Sequence, residues 1–187
     1  MKFFDYDWFP VNIPMWQEHL ADALTKPISA LEVGSYEGRS AVWILANLHP
    51  ESKLTCVDTW DGMDATLKKK TAMAEANFDA NTISHRGSGR LTKIKADSLT
   101  TLAGFVVEGR RFGLIYIDGC HEGLNVMTDL CLGWALLEKG GYMVADDYRW
   151  AATDVVASPK EAWDAFAAMK PDMDLVHQFR QCMIRKR

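Results

Sequence analysis

The sequence predicts an α/β fold: a mainly parallel sheet with helices on both faces and one antiparallel strand near its C-terminal end. Two observations carry this. From residue 28 onward, short apolar runs of strand length alternate with stretches of helical periodicity, the pattern of successive β-α-β units. The last two strand-like runs, DLVHQF and CMIR, have almost no chain between them, and so tight a connection joins only antiparallel strands. The chain has 187 residues, enough for one substantial core and few for two, so a single domain over 1–187 is expected.

The elements follow in order. Residues 1–27 hold Trp8, Phe9 and Trp16 and read as an N-terminal cap packed on the sheet, whose aromatics are also candidates for a homodimer contact. ISALEV (28–33) is the first strand, and a glycine-containing turn leads to the amphipathic helix SAVWILANL. KLTCV (53–57) is the second strand. Residues 61–90 form a polar insertion, helical through LKKKTAMAEANF and loose through NTISHRGSGR, which reads either as a lid over a ligand or as a surface helix with a disordered loop. LTKIKA is the third strand, SLTTLAGFVVEG the third helix and FGLIYI the fourth strand. Leu124, Met127, Leu130, Cys131, Trp134 and Leu137 then recur at helical spacing, one apolar face. Gly140-Gly141 is expected to end that helix, with YMVA as the fifth strand. A helix around KEAWDAFAAMK precedes the terminal pair. Trp43, Trp134 and Trp163 sit on apolar helix faces and read as core.

Bulk properties narrow the function. A net charge of -4 gives no general attraction for nucleic acid or anionic membrane, and Lys68-Lys69-Lys70, the one basic run, reads as a solvated helix face. The N-terminal MKFFDYDWFP carries acids and a proline where a signal peptide needs an apolar core, so a cytoplasmic location is expected. The four cysteines form no C-x-x-C pair and read as reduced, mostly buried small hydrophobes. Cys120, in a polar loop, is the exception.

In an open α/β sheet, ligands bind beyond the carboxyl ends of the strands. Every strand here ends at a carboxylate: Glu32, Asp58, Asp97, Asp118, and Asp146 with Asp147. Five such ends in register are hard to attribute to loop polarity alone. Gly34 and Gly38 in the first turn suit close backbone approach to a ligand. The dinucleotide fingerprint G-x-G-x-x-G is absent, because Tyr36 stands where its middle glycine would fall. Asp58 is placed to accept hydrogen bonds from ribose hydroxyls. Asp97 and Ser98 suit an adenine amino group, or equally a helix N-cap.

Taken in order, E-x-G-x-x-x-G-x-S, VDTWDG, ADS, IDGCHEG and GGYMVADDY resemble a class I S-adenosylmethionine-dependent methyltransferase, in the small bacterial-type branch with IDG-x-H and GG…DDY motifs. The resemblance covers roughly residues 29–187. It implies a Rossmann-like sheet of seven strands, the last antiparallel. It also implies S-adenosylmethionine as cofactor, with Glu32, Gly34, Ser35, Tyr36, Gly38 and Ser40 around the methionine part. Asp58 and Thr59 would meet the ribose, Trp60 would flank the adenosine, Asp97 and Ser98 would line the adenine, and Asp118 would close the cofactor side.

Methyl transfer to a hydroxyl needs placement and removal of a proton. Asp118, Asp146 and Asp147 are hard oxygen donors suited to Mg²⁺, and His121 is a candidate general base, which makes Asp118, Asp146 and His121 the expected catalytic set. Each also has a plain reading: Asp118 as a cap of the helix near Gly123, Asp146-Asp147 as a structural acid with a solvated neighbour, His121 as a loop histidine bonded to backbone. The expected activity is O-methylation of a small-molecule or sugar-like acceptor. The alternatives are an NAD(P)-dependent oxidoreductase and a non-catalytic subunit of the same fold.

Overall fold

A computed structural model describes residues 4, 7–61, 65–150, 157–169 and 172–187. Parts of the expected N-terminal cap (1–3, 5 and 6) and of the 61–90 insertion (62–64), together with the side chains of Lys68, Lys69 and Lys70, lie outside them. Seven strands form one sheet in the order β3-β2-β1-β4-β5-β7-β6: β1 Ser29–Val33, β2 Lys53–Asp58, β3 Leu91–Lys95, β4 Phe112–Ile117, β5 Leu137–Ala145, β6 Met173–Gln178 and β7 Cys182–Lys186. β2 runs parallel to β1 and β3, β5 parallel to β4, and β7 antiparallel to both β5 and β6. The expected antiparallel strand is therefore β7. The chain divides into two units, Met1–Asp97 and Ser98–Arg187.

In the first unit a 3₁₀ turn (Phe9–Asn12) leads into α1 (Ile13–His19) and the single turn α2 (Ala21–Leu24). The cap is anchored by aromatic packing on α3 (Arg39–Asn47): Phe9, Trp16 and Trp43 pack with ring centroids 5.3–5.6 Å apart. Phe9 and Trp16 are thus core side chains, and of the three N-terminal aromatics expected at a dimer contact only Trp8 stays exposed.

Helix α4 spans Ala65–Gly87, which corrects the expected loose stretch after residue 80. Its helical path continues because tertiary contacts outweigh weak local propensity. Ala74, Phe78, Asn81 and Thr82 are all buried, and Thr82 satisfies its hydroxyl on the Phe78 carbonyl at 2.7 Å. On the next strand Lys93 ties α4 down through Glu75 and Asp79 at 2.7 and 2.9 Å.

In the second unit α6 (Gly123–Leu136) packs on α5 (Ser98–Val107) and α7 (Pro159–Ala168). Its buried side is Val126, Asp129, Leu130, Gly133, Trp134 and Leu136. Leu124 and Cys131, expected on the apolar face, are exposed: the stripe is rotated because small Gly133 lets the helix settle against Met143 and Ile117. Gly140-Gly141 does not end the helix, which stops at Leu136. Both glycines lie in β5, where the pairing jumps from Phe112↔Leu137 to Leu114↔Tyr142 and Gly140 takes φ +77°, a bulge-type excursion that favours glycine. All four cysteines are free thiols, with Cys56 and Cys182 buried, Cys120 half-buried and Cys131 exposed.

Candidate functional site

The turn after β1 is held by two carboxylates on different jobs. Gly34, Tyr36 and Gly38 all adopt left-handed backbone (φ 82°, 45° and 77°), so the chain doubles back between β1 and α3. That curvature points the amides of Ser35 and Tyr36 at one oxygen of Asp58, at 2.8 and 2.9 Å. The other Asp58 oxygen accepts from the Trp60 amide at 2.8 Å. Behind the turn, Glu32 is fully buried and accepts from the hydroxyls of Ser35 and Ser40, both at 2.5 Å, and from the Cys56 thiol at 3.3 Å. Burial pushes the Glu32 carboxyl above its usual range, partly offset by these donors.

Two expected cofactor contacts take other partners. Trp60 is 3% exposed: its indole N–H donates to the Tyr36 carbonyl at 2.8 Å, Phe78 packs against its ring and the Lys93 ammonium sits 4.6 Å from the ring centroid. A ring so enclosed buttresses the turn. Gly38 is close to protein: a Cβ there would lie 2.9 Å from Phe78 Cδ2 and 3.2 Å from Thr82 Cγ2. Thr59 and Asp97 are exposed and Ser98, at the start of α5, is half-buried.

In the second unit the registers of β4 and β5 assemble an acid cluster. Tyr116 pairs with Val144, and residues two further along each strand, Asp118 and Asp146, project from the same face. The buried Tyr116 hydroxyl lies within hydrogen-bond reach of both, 2.9 Å from Asp118 Oδ2 and closer still to Asp146 Oδ2. Asp146 Oδ2 also accepts from the Gln181 amide at 2.5 Å, and its Oδ1 accepts from the Asp147 backbone N–H at 2.7 Å. Burial raises the Asp146 carboxyl above its ordinary range, against the lowering effect of its donors.

Asp147, at φ +58°, places its carboxylate on His121 Nε2 at 2.6 Å. Trp150 stacks on the imidazole with centroids 4.8 Å apart. The bond to Asp147 holds the His121 pKa above its usual value although burial pulls it down. One donor atom each from Asp118, His121 and Asp147 lie within 4.8 Å of one another, beside a cavity of about 10 Å³ lined in part by Cys120, Val126 and Pro159. The N-cap of α6 is Glu122, whose side chain makes no cap hydrogen bond.

A family model described as a methyltransferase domain matches residues 31–148, from β1 through the acid cluster and well over half of the chain. The chain belongs to the methyltransferase-domain family. An uncharacterized protein of Acanthamoeba polyphaga mimivirus is 27% identical over 142 residues, 72% of this chain and 59% of that protein. Among solved structures, the MycE methyltransferase of the mycinamycin biosynthetic pathway, in complex with Mg, SAH and mycinamycin VI, is similar with a TM-score of 0.64 at 15% identity. That match covers 98% of this chain and 50% of MycE. The O-methyltransferase TomG from Streptomyces achromogenes, in complex with SAM, gives 0.68 at 13% identity over 92% of this chain and 79% of TomG. The chain thus spans little more than half the length of its mimivirus relative and half that of MycE. At these identities the structural likeness establishes the fold.

In this methyltransferase domain, the acids and the histidine named from the sequence lie together, and His121 pairs with Asp147. Asp146, expected beside Asp118 and Asp147 as a metal ligand, is outside the three-residue cluster in this conformation, and His121 is in it. The oxygens of Asp146 are taken by Tyr116, Gln181 and the Asp147 amide. Tyr116 and Gln181 were missed altogether. Tyr116 sits inside an apolar run, where a hydroxyl in the strand looks like one more core aromatic. Its i, i+2 relation to Asp118 was the available signal. Gln181, in the turn between β6 and β7, carried none. Glu37 was also missed; it is buried, with its carboxylate held by Asn77 at 2.8 Å and its carbonyl by Asn81 at 3.0 Å.

Proposed function

We propose that this chain is an S-adenosylmethionine-dependent methyltransferase acting on a hydroxyl of a small molecule, with 1–187 as one catalytic domain. The observation that carries the proposal is the His121–Asp147 pair set beside Asp118 within a methyltransferase-domain chain. The cofactor supplies a methyl group on a sulfonium, and the residues of the first unit proposed to hold it are those of the turn 34–40 with Asp58 and Asp97. Asp58 already uses three acceptor positions on backbone amides, and a carboxylate offers about four. Its first task is to preorganise the turn, with one position remaining for a ribose hydroxyl. Glu32 acts from behind through Ser35 and Ser40. Helix α4, fixed to Glu37 and Gly38, reads as a clamp on the turn rather than a lid.

His121 provides the base. With Nε2–H donating to Asp147, the neutral ring is fixed as the tautomer whose lone pair is on Nδ1, the atom that takes the acceptor's proton as its oxygen attacks the methyl carbon. Asp147 orients the ring and stabilises the imidazolium that forms. The donor set also fits a divalent cation, since carboxylates suit Mg²⁺ or Mn²⁺ and an imidazole suits the latter, and MycE holds Mg. A cation held by Asp118 and Asp147 would lower the pKa of a bound hydroxyl.

Thermal shift with S-adenosylhomocysteine and with NAD tests the cofactor. Stabilisation by the first alone is expected, and stabilisation by NAD alone overturns the proposal in favour of an oxidoreductase. For transfer itself, radiolabelled methyl incorporation into a panel of phenolic, sugar and macrolide hydroxyl acceptors should fall at least 100-fold in Asp118→Ala and His121→Ala, the scale of a lost general base. Cofactor binding with no transfer to any acceptor leaves the non-catalytic subunit.

A further inference from the structure

Tyr116 and Gln181 belong neither to the cofactor turn nor to the expected catalytic set, yet both are 1% exposed and both end on the acid cluster. The Tyr116 hydroxyl has one proton to donate but lies against two carboxylates, Asp118 and Asp146. Gln181 makes up the shortfall, its amide reaching Asp146 at 2.5 Å and the Tyr116 oxygen at 3.3 Å. Like charges this close repel, and without both donors the two acids would rotate apart. The elements explain why the hub is rigid. Tyr116 is fixed within β4, one residue from its end, and Gln181 directly precedes Cys182, which pairs with Ala145 beside Asp146.

We propose that Tyr116 and Gln181 are positioning residues that set the orientations of Asp118 and Asp146, and thereby present Asp118 with Asp147, beside His121, as a divalent-cation site. This rests on the methyltransferase reading above and extends it to two residues that touch neither cofactor nor acceptor. The antiparallel strand β7 then has a function: it delivers Gln181 to the ends of the parallel strands.

Tyr116→Phe removes the hydroxyl and keeps the ring, and Gln181→Met removes the donor at similar length. Mn²⁺ titration followed by electron paramagnetic resonance, with S-adenosylhomocysteine affinity and Tm measured in parallel, separates positioning from folding. Each variant should bind Mn²⁺ about 10-fold more weakly, the usual scale for losing an outer-shell partner, with S-adenosylhomocysteine affinity within about threefold of the unaltered chain and Tm within a few degrees. Mn²⁺ binding unchanged in both variants overturns the proposal, as does equal loss of Mn²⁺ and S-adenosylhomocysteine with a collapsed Tm in both. An unaltered chain that binds S-adenosylhomocysteine but no Mn²⁺ also overturns it and leaves the methyltransferase reading standing. An unaltered chain that binds no S-adenosylhomocysteine brings that reading down instead.

Discussion

Glu32 shows what burial does to a strand-end carboxylate. The carboxylate at the end of β1 was expected to touch the cofactor, and it is fully buried with two serine hydroxyls and a thiol as donors. Its folded pKa is raised, mainly by burial. A raised carboxyl pKa means the folded state holds the proton more tightly than the unfolded chain. Stability from Glu32 is therefore greatest at low pH and declines as pH rises from about 4.3, the unfolded value, through the folded pKa. Glu32→Gln abolishes that titration. Urea unfolding should show the stability of the unaltered chain relative to Glu32→Gln falling as pH rises above about 4.3; a difference independent of pH would refute the assignment. Glu32→Ala leaves two buried hydroxyls without an acceptor and should cost about 2–4 kcal/mol at neutral pH.

At the scale of elements, helix α4 and the first turn specify each other. Gly38 needs its left-handed backbone to close the turn, and the ring of Phe78 occupies the space a side chain would take. Phe78 in turn packs on Trp60, and Trp60 bonds to Tyr36. Gly38→Ala therefore combines backbone strain of about 1–2 kcal/mol with overpacking of about 1–3 kcal/mol. A loss of roughly 2–5 kcal/mol in chemical denaturation is expected from the two together. The partnered variant Gly38→Ala, Phe78→Leu should recover the overpacking part and leave the strain. Failure to recover would show that α4 does not bear on the turn.

For the whole molecule, a net charge of -4 argues against a phosphate backbone as partner, since such binding needs clustered Lys and Arg to displace counterions. Gel shift with duplex RNA and DNA in about 50 mM salt, conditions that exaggerate electrostatic binding, should show no complex at micromolar protein. A salt-sensitive complex would overturn the small-molecule assignment. Among the described residues, no helix is long and apolar enough to cross a membrane.

The sequence by itself determined the α/β class, the strand positions apart from the start of β5, the antiparallel terminal pair and the identity of the strand-end acids. These are properties of local pattern: periodicity, turn residues and the length of connections. Only the tertiary structure decided which acid faces which partner. Asp118 and Asp146 meet because strand register aligns them on one hydroxyl. Asp147 meets His121 from a left-handed backbone position, while Asp146 meets Tyr116 and Gln181. Glu32 and Trp60 face inward because burial satisfies them with serines, a thiol and a ring. Residues 81–87 are helical because Phe78, Asn81 and Thr82 have partners 40 positions away in the chain. Long-range contacts of this kind leave no periodic signature, so they are read from coordinates and not from order along the chain.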